Sequence, residues 1–266
     1  MAYFSIMKFL IELHPAIAVS VLCVITLTVS FLGLKLVRKK FEEDTLKENH
    51  EVGGLIFNAF GLIYAVLVAF VVFATWTEYD ESKKNTDLEA IEITDLFRNS
   101  KALPDSARES IRLSLVQYIN DVINDEWPML SGAEASTKAA NSYNRIWEIY
   151  TTMDVKNIPN VYVYQESLKH LNDLGERRRT RLFDSTNNIP GIIWASLLFG
   201  GVMTVIYTYF FSTKKFMPQF MMTAALTILN TLILYMIYIL DNPFAGYIKI
   251  DTVPYEITLK IINMGM

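Results

Sequence analysis

The sequence lacks the residues that most reactive sites require. It contains a single cysteine, Cys23, which excludes an intrachain disulfide. Its three histidines, at positions 14, 50 and 170, have no metal-ligand spacing, and no HExxH, phosphate-binding glycine loop or GxSxG motif occurs. Carboxylates are plentiful, but exposed helix faces usually carry them for solvation. The sequence therefore predicts a protein that is not an enzyme and that has no cofactor or metal site.

Charge is absent from four long stretches of a chain that is 52% hydrophobic. Apart from Lys35, no charged residue occurs at about 16–37, 53–77, 189–213 or 217–240. As helices these stretches are roughly 33 to 37 Å long, enough to cross a hydrocarbon core of roughly 30 Å. The first is too long for a signal peptide and ends in basic residues. We predict a multi-pass protein of the cell inner (plasma) membrane with four transmembrane helices.

The block between the second and third stretches, residues 78–188, is hydrophilic. It holds 14 Lys/Arg and 19 Asp/Glu, a net charge of −5, which argues against a nucleic-acid partner. No alternating strand pattern occurs, and apolar residues recur at helical spacing. We predict an all-α fold with a first membrane hairpin at 1–77, a helical extramembrane domain at 78–188 and a second hairpin at 189–266 that ends in a C-terminal interfacial tail.

Several helix boundaries can be predicted within this block. Since no Gly or Pro follows Thr77 until Pro104, the second span is expected to continue beyond the bilayer as one helix. Ser106 and Glu109 have the spacing of a capping box. Further helices are expected up to about Glu126-Trp127-Pro128, from Ser136 onward, and over about 161–184.

One face of the second span carries small residues. Following Gly54 at steps of four, three, four, four and three residues, the face contains Asn58, Gly61, Ala65, Ala69 and Val72. In a membrane such a face most often allows two helices to pack closely. Around the axis of an oligomer, the same face would leave room for water, and Asn58 would form a polar ring. These five residues are the candidate pore-lining set.

Acidic residues follow directly after the second span. They usually form a solvated helix face, but copies of Glu78 and Glu81 around a pore mouth would concentrate cations. Arginines at 177–181 could instead pair with this acidic segment.

The third and fourth spans carry polar and small residues of their own. Thr223, Thr227 and Asn230 form a stripe on the fourth span, for which we predict interhelical hydrogen bonds and, as a second choice, a pore face. Gly200-Gly201 in the third span is typical of tight helix packing.

Several short motifs together resemble the bestrophin-like domain family. They are Gly61 to Leu67, Trp76 with Tyr79, Glu89-Ala90, Glu126-Trp127-Pro128, Arg178 to Leu182, Pro190 with Trp194, and Asp241 to Gly246. The resemblance implies four spans with a helical insert and kinship with bestrophins, oligomeric anion channels whose second membrane helix lines the pore. The bestrophin calcium-clasp acidic cluster and aromatic neck are not recognisable, so calcium gating and chloride selectivity are not implied.

Two functions remain open at this point. The first is a homo-oligomeric channel whose partners are the lipid bilayer, its own copies and permeating ions. The second is a non-conducting scaffold or sensor whose helical domain binds a partner. Positive charge in the short connections favours an extracytoplasmic domain, whereas the arginines at 177–181 favour the opposite side. Because short loops decide orientation most strongly, we expect the helical domain to be extracytoplasmic.

Overall fold

The computed structural model describes residues 12–41, 50–211, 213 and 215–265, with no side-chain information at positions 50 and 51. All regular structure in this part of the chain is helical. The α-helices are α1 (Pro15–Lys40), α2 (His50–Ser100), α3 (Asp105–Asp121), α4 (Trp127–Leu130), α5 (Thr137–Thr152), α6 (Val161–Asp184), α7 (Gly191–Phe210), α8 (Phe216–Leu240) and α9 (Val253–Met264). The predicted all-α fold is confirmed.

Four of these helices are long and apolar enough to span a membrane. They are α1, the membrane part of α2, α7 and α8, and they agree with the four predicted spans to within a few residues. The prediction that the second span continues as one helix is also confirmed, since α2 has 51 residues without a break.

The chain divides into two compact units. The membrane unit contains α1, α2 up to Glu78, α7 and α8, whereas the helical domain contains the rest of α2, α3 to α6 and α9. Each unit has its own core of buried side chains.

In the membrane unit, α8 packs against both α1 and α7. Hydroxyl pairs link these helices: Thr26 with Thr231 at 3.0 Å and Thr208 with Thr223 at 2.9 Å. Since no water competes inside a bilayer, such bonds fix helix register where apolar contacts alone would not.

A carboxylate at the end of α8 fixes the start of α7. Asp241 caps α8 and accepts hydrogen bonds from the Ile189 amide at 2.7 Å and the Trp194 indole at 3.1 Å. Asn188 donates to the Asp241 carbonyl at 2.7 Å. The Asp241 side chain therefore holds the end of α8 and the start of α7 together.

Gly200 allows α2 and α7 to approach closely. A Cβ at Gly200 would overlap the ring of Tyr64, whose hydroxyl donates to the Leu197 carbonyl at 3.2 Å. At Gly201, an added Cβ would lie 3.1 Å from the Tyr64 hydroxyl. The predicted packing role of this glycine pair is confirmed.

In the helical domain, a buried cluster of four charges joins α2, α6 and the segment before α4. We call Glu89, Glu126, Arg178 and Arg181 the charge cluster. The Arg181 guanidinium, fully buried, donates to Glu89 at 2.8 Å and to Glu126 at 2.9 Å, and Arg178 donates to Glu126 at 3.1 Å. Tyr118 adds a hydrogen bond to Glu89 at 2.7 Å.

The position of Glu126 depends on a local change in helix type. Between α3 and α4 the chain forms a π-helix, Val122–Glu126, and Pro128 falls in the first turn of α4, where it needs no amide partner. A helix end was expected near this proline. The chain instead remains helical to Leu130, because Pro128 lies in the first turn of the short helix α4 that follows the π-helix.

Two sequence predictions in this unit are wrong. The Ser106–Glu109 capping box does not form, because α3 begins at Asp105 after Pro104 and Glu109 instead binds Arg112 at 2.7 Å. The segment beyond α8 is not simply an interfacial tail, since it includes α9, whose Tyr255 is fully buried in the domain core against Trp127.

The Tyr64–Gly200 contact predicts a specific sensitivity. Gly200→Ala should reduce the free energy of unfolding by about 1 to 3 kcal/mol, since the added methyl group overlaps a ring rather than a flexible chain end. The measurement is denaturant unfolding of the purified protein in detergent. Gly61→Ala is the matched control, because a Cβ there meets nothing within 4 Å. Equal stability of the two variants would contradict this account.

The charge cluster predicts a pH-dependent contribution to stability. Burial would raise the pKa of Glu126, but hydrogen bonds and charges from Arg178 and Arg181 lower it below its usual value of 4.5. Its contribution is therefore complete above about pH 4.5 and is lost as pH falls through the lowered pKa.

Replacing this carboxylate should have a large effect. Glu126→Gln should cost about 3 kcal/mol at neutral pH, because two arginines lose a buried partner, and should flatten the acid-side pH dependence of unfolding. Glu109→Gln, which breaks an exposed pair with Arg112, should have a much smaller effect, because water screens that pair. Similar losses in both variants, measured by the same unfolding assay, would show that burial of the cluster is not what stabilises the domain.

Candidate pore-lining surface

The small-residue row of α2 is not used for packing within the described part of the chain. Asn58, Ala65 and Ala69 are exposed, and a Cβ added at Gly61 meets nothing within 4 Å. Helix packing through this row therefore requires a neighbouring chain. The structure brings these four residues together on one free surface of the membrane unit.

A different face of α2 is buried against the rest of the membrane unit. Tyr64 lies on Gly200, and Val71 packs with Leu197 and Ile237. Val72 is half-buried beside the same cluster, so it lies at the edge of the free surface. The Tyr64 ring faces α7 and is therefore not part of the free surface.

A second row on the free surface consists of large apolar side chains. Leu62, Val66 and Phe70, which we call the bulky row, are 68%, 48% and 71% exposed and follow one another at steps of four. The sequence analysis missed this row because apolar residues are expected everywhere on a membrane helix. The only available signal was its regular spacing next to the small-residue row.

The two acidic residues nearest the membrane part of α2 have no arginine partner among the described residues. Glu78 and Glu81 are exposed, and neither forms an ion pair within the described ranges. Of the arginines at 177–181, Arg178 and Arg181 belong to the charge cluster. Arg178 binds Glu126, and Arg181 binds both Glu126 and Glu89, the residue of the acidic segment that has an arginine partner among the described residues.

The negative charges of Glu78 and Glu81 help to raise the pKa of two nearby carboxyl groups, those of Asp241 and Asp184. Burial raises the pKa of Asp241, and the charge of Glu78 raises it further. Burial likewise raises the pKa of Asp184, with an added contribution from Glu81. The charges of Glu78 and Glu81 therefore act on neighbouring carboxyl groups, although burial is the larger cause of both shifts.

The polar stripe of α8 is occupied by hydrogen bonds within the membrane unit. Thr227 donates to Ser30 at 3.2 Å, and Asn230 donates to Thr204 at 2.8 Å. Thr223, which pairs with Thr208, is fully buried. These contacts are the interhelical bonds that the sequence analysis favoured, and they leave the stripe unavailable as an open face of the single chain.

Metal-binding geometry is not found in the part of the chain that the structure describes. No group of three or more His, Cys, Asp or Glu side chains there is placed to hold a metal ion.

Comparison with solved structures identifies the fold. Two variants of a bacterial bestrophin homologue from Klebsiella pneumoniae match with TM-scores of 0.67 and 0.68, each at 13% identity over 91% of this chain and 97% and 96% of theirs. Another solved membrane protein matches with a TM-score of 0.66 at 14% identity, over 91% of this chain and 96% of that one. Among curated proteins, none matches significantly.

The family assignment rests on a separate comparison with the sequence. The bestrophin-like domain model matches residues 21–255, which include all four membrane helices and the helical domain between them. The resemblance seen in the short motifs is thereby confirmed. The chain belongs to the bestrophin-like domain family.

Proposed function

We propose that the protein is a homo-oligomeric membrane channel that conducts ions along an axis surrounded by copies of α2. The observation that supports this most strongly is the free surface of α2, on which the small-residue row and the bulky row lie side by side with no partner among the described residues. The fold shared with bestrophin homologues supports the same function.

The two rows suggest how ions would be controlled. Asn58 would offer an amide near one end of the membrane part of α2, where a partly dehydrated ion gains a polar contact. The bulky row would narrow the path, and an apolar constriction excludes ions by losing its water. Val72, at the edge of this surface, is the least favourable of the five pore-lining candidates.

The acidic residues suggest a preference for cations at one mouth. Copies of Glu78 and Glu81 around an axis would sum their charge, and unneutralised carboxylates raise the local cation concentration. Neither residue has an arginine partner among the described residues, so both carboxylates would be available to attract cations.

We propose α2 rather than α8 as the pore helix. Thr223, Thr227 and Asn230 already bond to α1 and α7 or to their own helix, and an ion could use them only by breaking those bonds.

The alternative function is a non-conducting scaffold or sensor. The same small-residue row supports it, because small side chains also let α2 helices of neighbouring copies pack without a water path. The two functions differ in whether the axis is open to water.

The side of the membrane that holds the helical domain can be assigned directly. Arg38, part of the charge that favours an extracytoplasmic domain, also donates to Gln219 and to the Thr213 carbonyl, so it has a structural role besides any effect on orientation. Impermeant maleimide applied to intact cells would label Asn141→Cys, in a Cys23→Ser background, only if the domain lies outside.

A charge placed on the small-residue row should change selectivity. Ala65→Asp should shift the reversal potential toward the equilibrium potential of the cation, and Ala65→Lys should shift it toward the equilibrium potential of the anion. The reason is that a ring of charge at the axis attracts ions of opposite charge. The measurement is current through planar bilayers with asymmetric salt. Ile192→Lys, at an exposed site on α7, is the control and should leave selectivity unchanged. Unaltered reversal potentials in both Ala65 variants would remove this row from the pore.

Shortening the bulky row should widen the constriction. Phe70→Ala should raise single-channel conductance or open probability several-fold, since a smaller side chain lets the narrow zone stay wet. Phe199→Ala, an equally large change at an exposed α7 site, should have no such effect. If both variants conduct like the original protein, Phe70 faces lipid rather than the axis.

A further inference from the structure

The helical domain has a groove between α2 and α9 whose surface combines exposed apolar side chains with acidic ones. We call it the acidic groove; it has a volume of about 330 Å³ and includes Asp87, Ile91 and Ile257. The two isoleucines are 50% and 51% exposed. This part of the chain lies in the domain unit rather than in the membrane unit, so lipid does not account for the exposed apolar side chains.

The floor of the acidic groove is firmly built. Thr94 and Thr258 share a hydrogen bond of 3.2 Å, and Thr258 also donates to the Ala90 carbonyl at 3.2 Å. Both threonines are buried. The groove is therefore a fixed surface between two helices, and exposed apolar surface of this kind marks a contact site.

Charge on the rim of the acidic groove is only partly balanced. Asp95 lies 3.6 Å from Arg98, whereas Asp87 is exposed and has no ion-pair partner within the described ranges. A partner that covers the exposed isoleucines would gain most by bringing a positive charge to Asp87.

A second groove in the same unit carries the opposite charge. Between α3 and α5 lies the basic groove, of about 370 Å³, which includes Leu113, Arg145 and Ile149. Leu113 is 55% exposed, and Arg145 is exposed with no carboxylate partner in the described part of the unit. Each groove thus combines an exposed apolar residue with one unpaired charge, and the two charges are opposite.

We propose that the acidic groove of one copy contacts the rim of the basic groove of the next, with Asp87 facing Arg145 of the neighbouring copy and Ile257 near Leu113. Because two different surfaces of the same unit meet, the contact is head-to-tail, and repeating it closes a ring if the rotation permits. This inference rests on the proposed homo-oligomer and names the surfaces that join its domains.

Charge reversal gives a direct test. Asp87→Lys and Arg145→Asp should each weaken assembly at least about tenfold in subunit concentration, because every contact in the ring then opposes like charges. The double variant should recover the original assembly, since the pair is restored in the opposite direction. Native mass spectrometry of the full-length protein in detergent measures the subunit number, and Glu176→Lys, exposed and outside both grooves, is the control.

Cysteine pairing provides an independent measurement. In a Cys23→Ser background, Ile257→Cys together with Leu113→Cys should give disulfide-linked multimers on oxidation, whereas either cysteine alone should not. Unchanged assembly in the single charge variants, or loss that the double variant does not recover, overturns the proposed contact. If the unmodified protein conducts and forms oligomers but these tests fail, the groove contact is wrong and the channel proposal stands. If the unmodified protein is a monomer, both the groove contact and the channel proposal are wrong.

Discussion

The continuous hydrogen bonding of α2 is the constraint on which the rest of the structure depends. A helix presents fixed faces at 3.6 residues per turn, so once Tyr64 and Val71 are buried against α7 and α8, Ala65, Ala69 and the bulky row lie on other faces of α2. Gly200 makes this orientation specific, because only a residue without Cβ accommodates the Tyr64 ring. The free surface of α2 is thus a consequence of how its other face packs.

In the helical domain, buried ion pairs hold the helices together. Glu89 and Glu126 are fully buried, which would be costly for isolated carboxylates, but two arginines satisfy them. The π-helix before α4 places Glu126, and the Trp127 ring next to it lies 5.2 Å from the Arg181 guanidinium, so a cation–π contact adds to the ion pairs. Loss of Arg181 would leave Glu89 without an arginine partner among the described residues, and loss of Glu126 would leave Arg178 without a carboxylate partner there.

Much of the fold could be predicted because its signals are local. Charge-free stretches gave the four spans, Ser136 and the Val161–Asp184 pattern gave helix bounds, and Asp241 gave the end of α8. The prediction failed where distant contacts decide. Glu109 binds Arg112 instead of capping a helix, and α9 is part of the domain because Tyr255 and Ile262 enter its core.

The candidate surface was predictable in the same limited way. Spacing alone identified Asn58, Ala65 and Ala69 as one row, and the structure leaves that row exposed. The role of Tyr64 could not be foreseen, because its partner Gly200 lies 136 positions along the chain. The bulky row was missed since hydrophobicity does not distinguish lipid, a neighbouring helix and a dry constriction in a membrane.

The most direct test of the central claim is an experimental structure of the assembled protein in a lipid environment. If the protein conducts as proposed, copies of α2 surround one axis, with Ala65, Ala69 and the bulky row facing a path that water can enter from both ends. An assembly in which these rows pack against a neighbouring helix or face lipid, with no continuous path along the axis, would contradict the proposal and favour the scaffold.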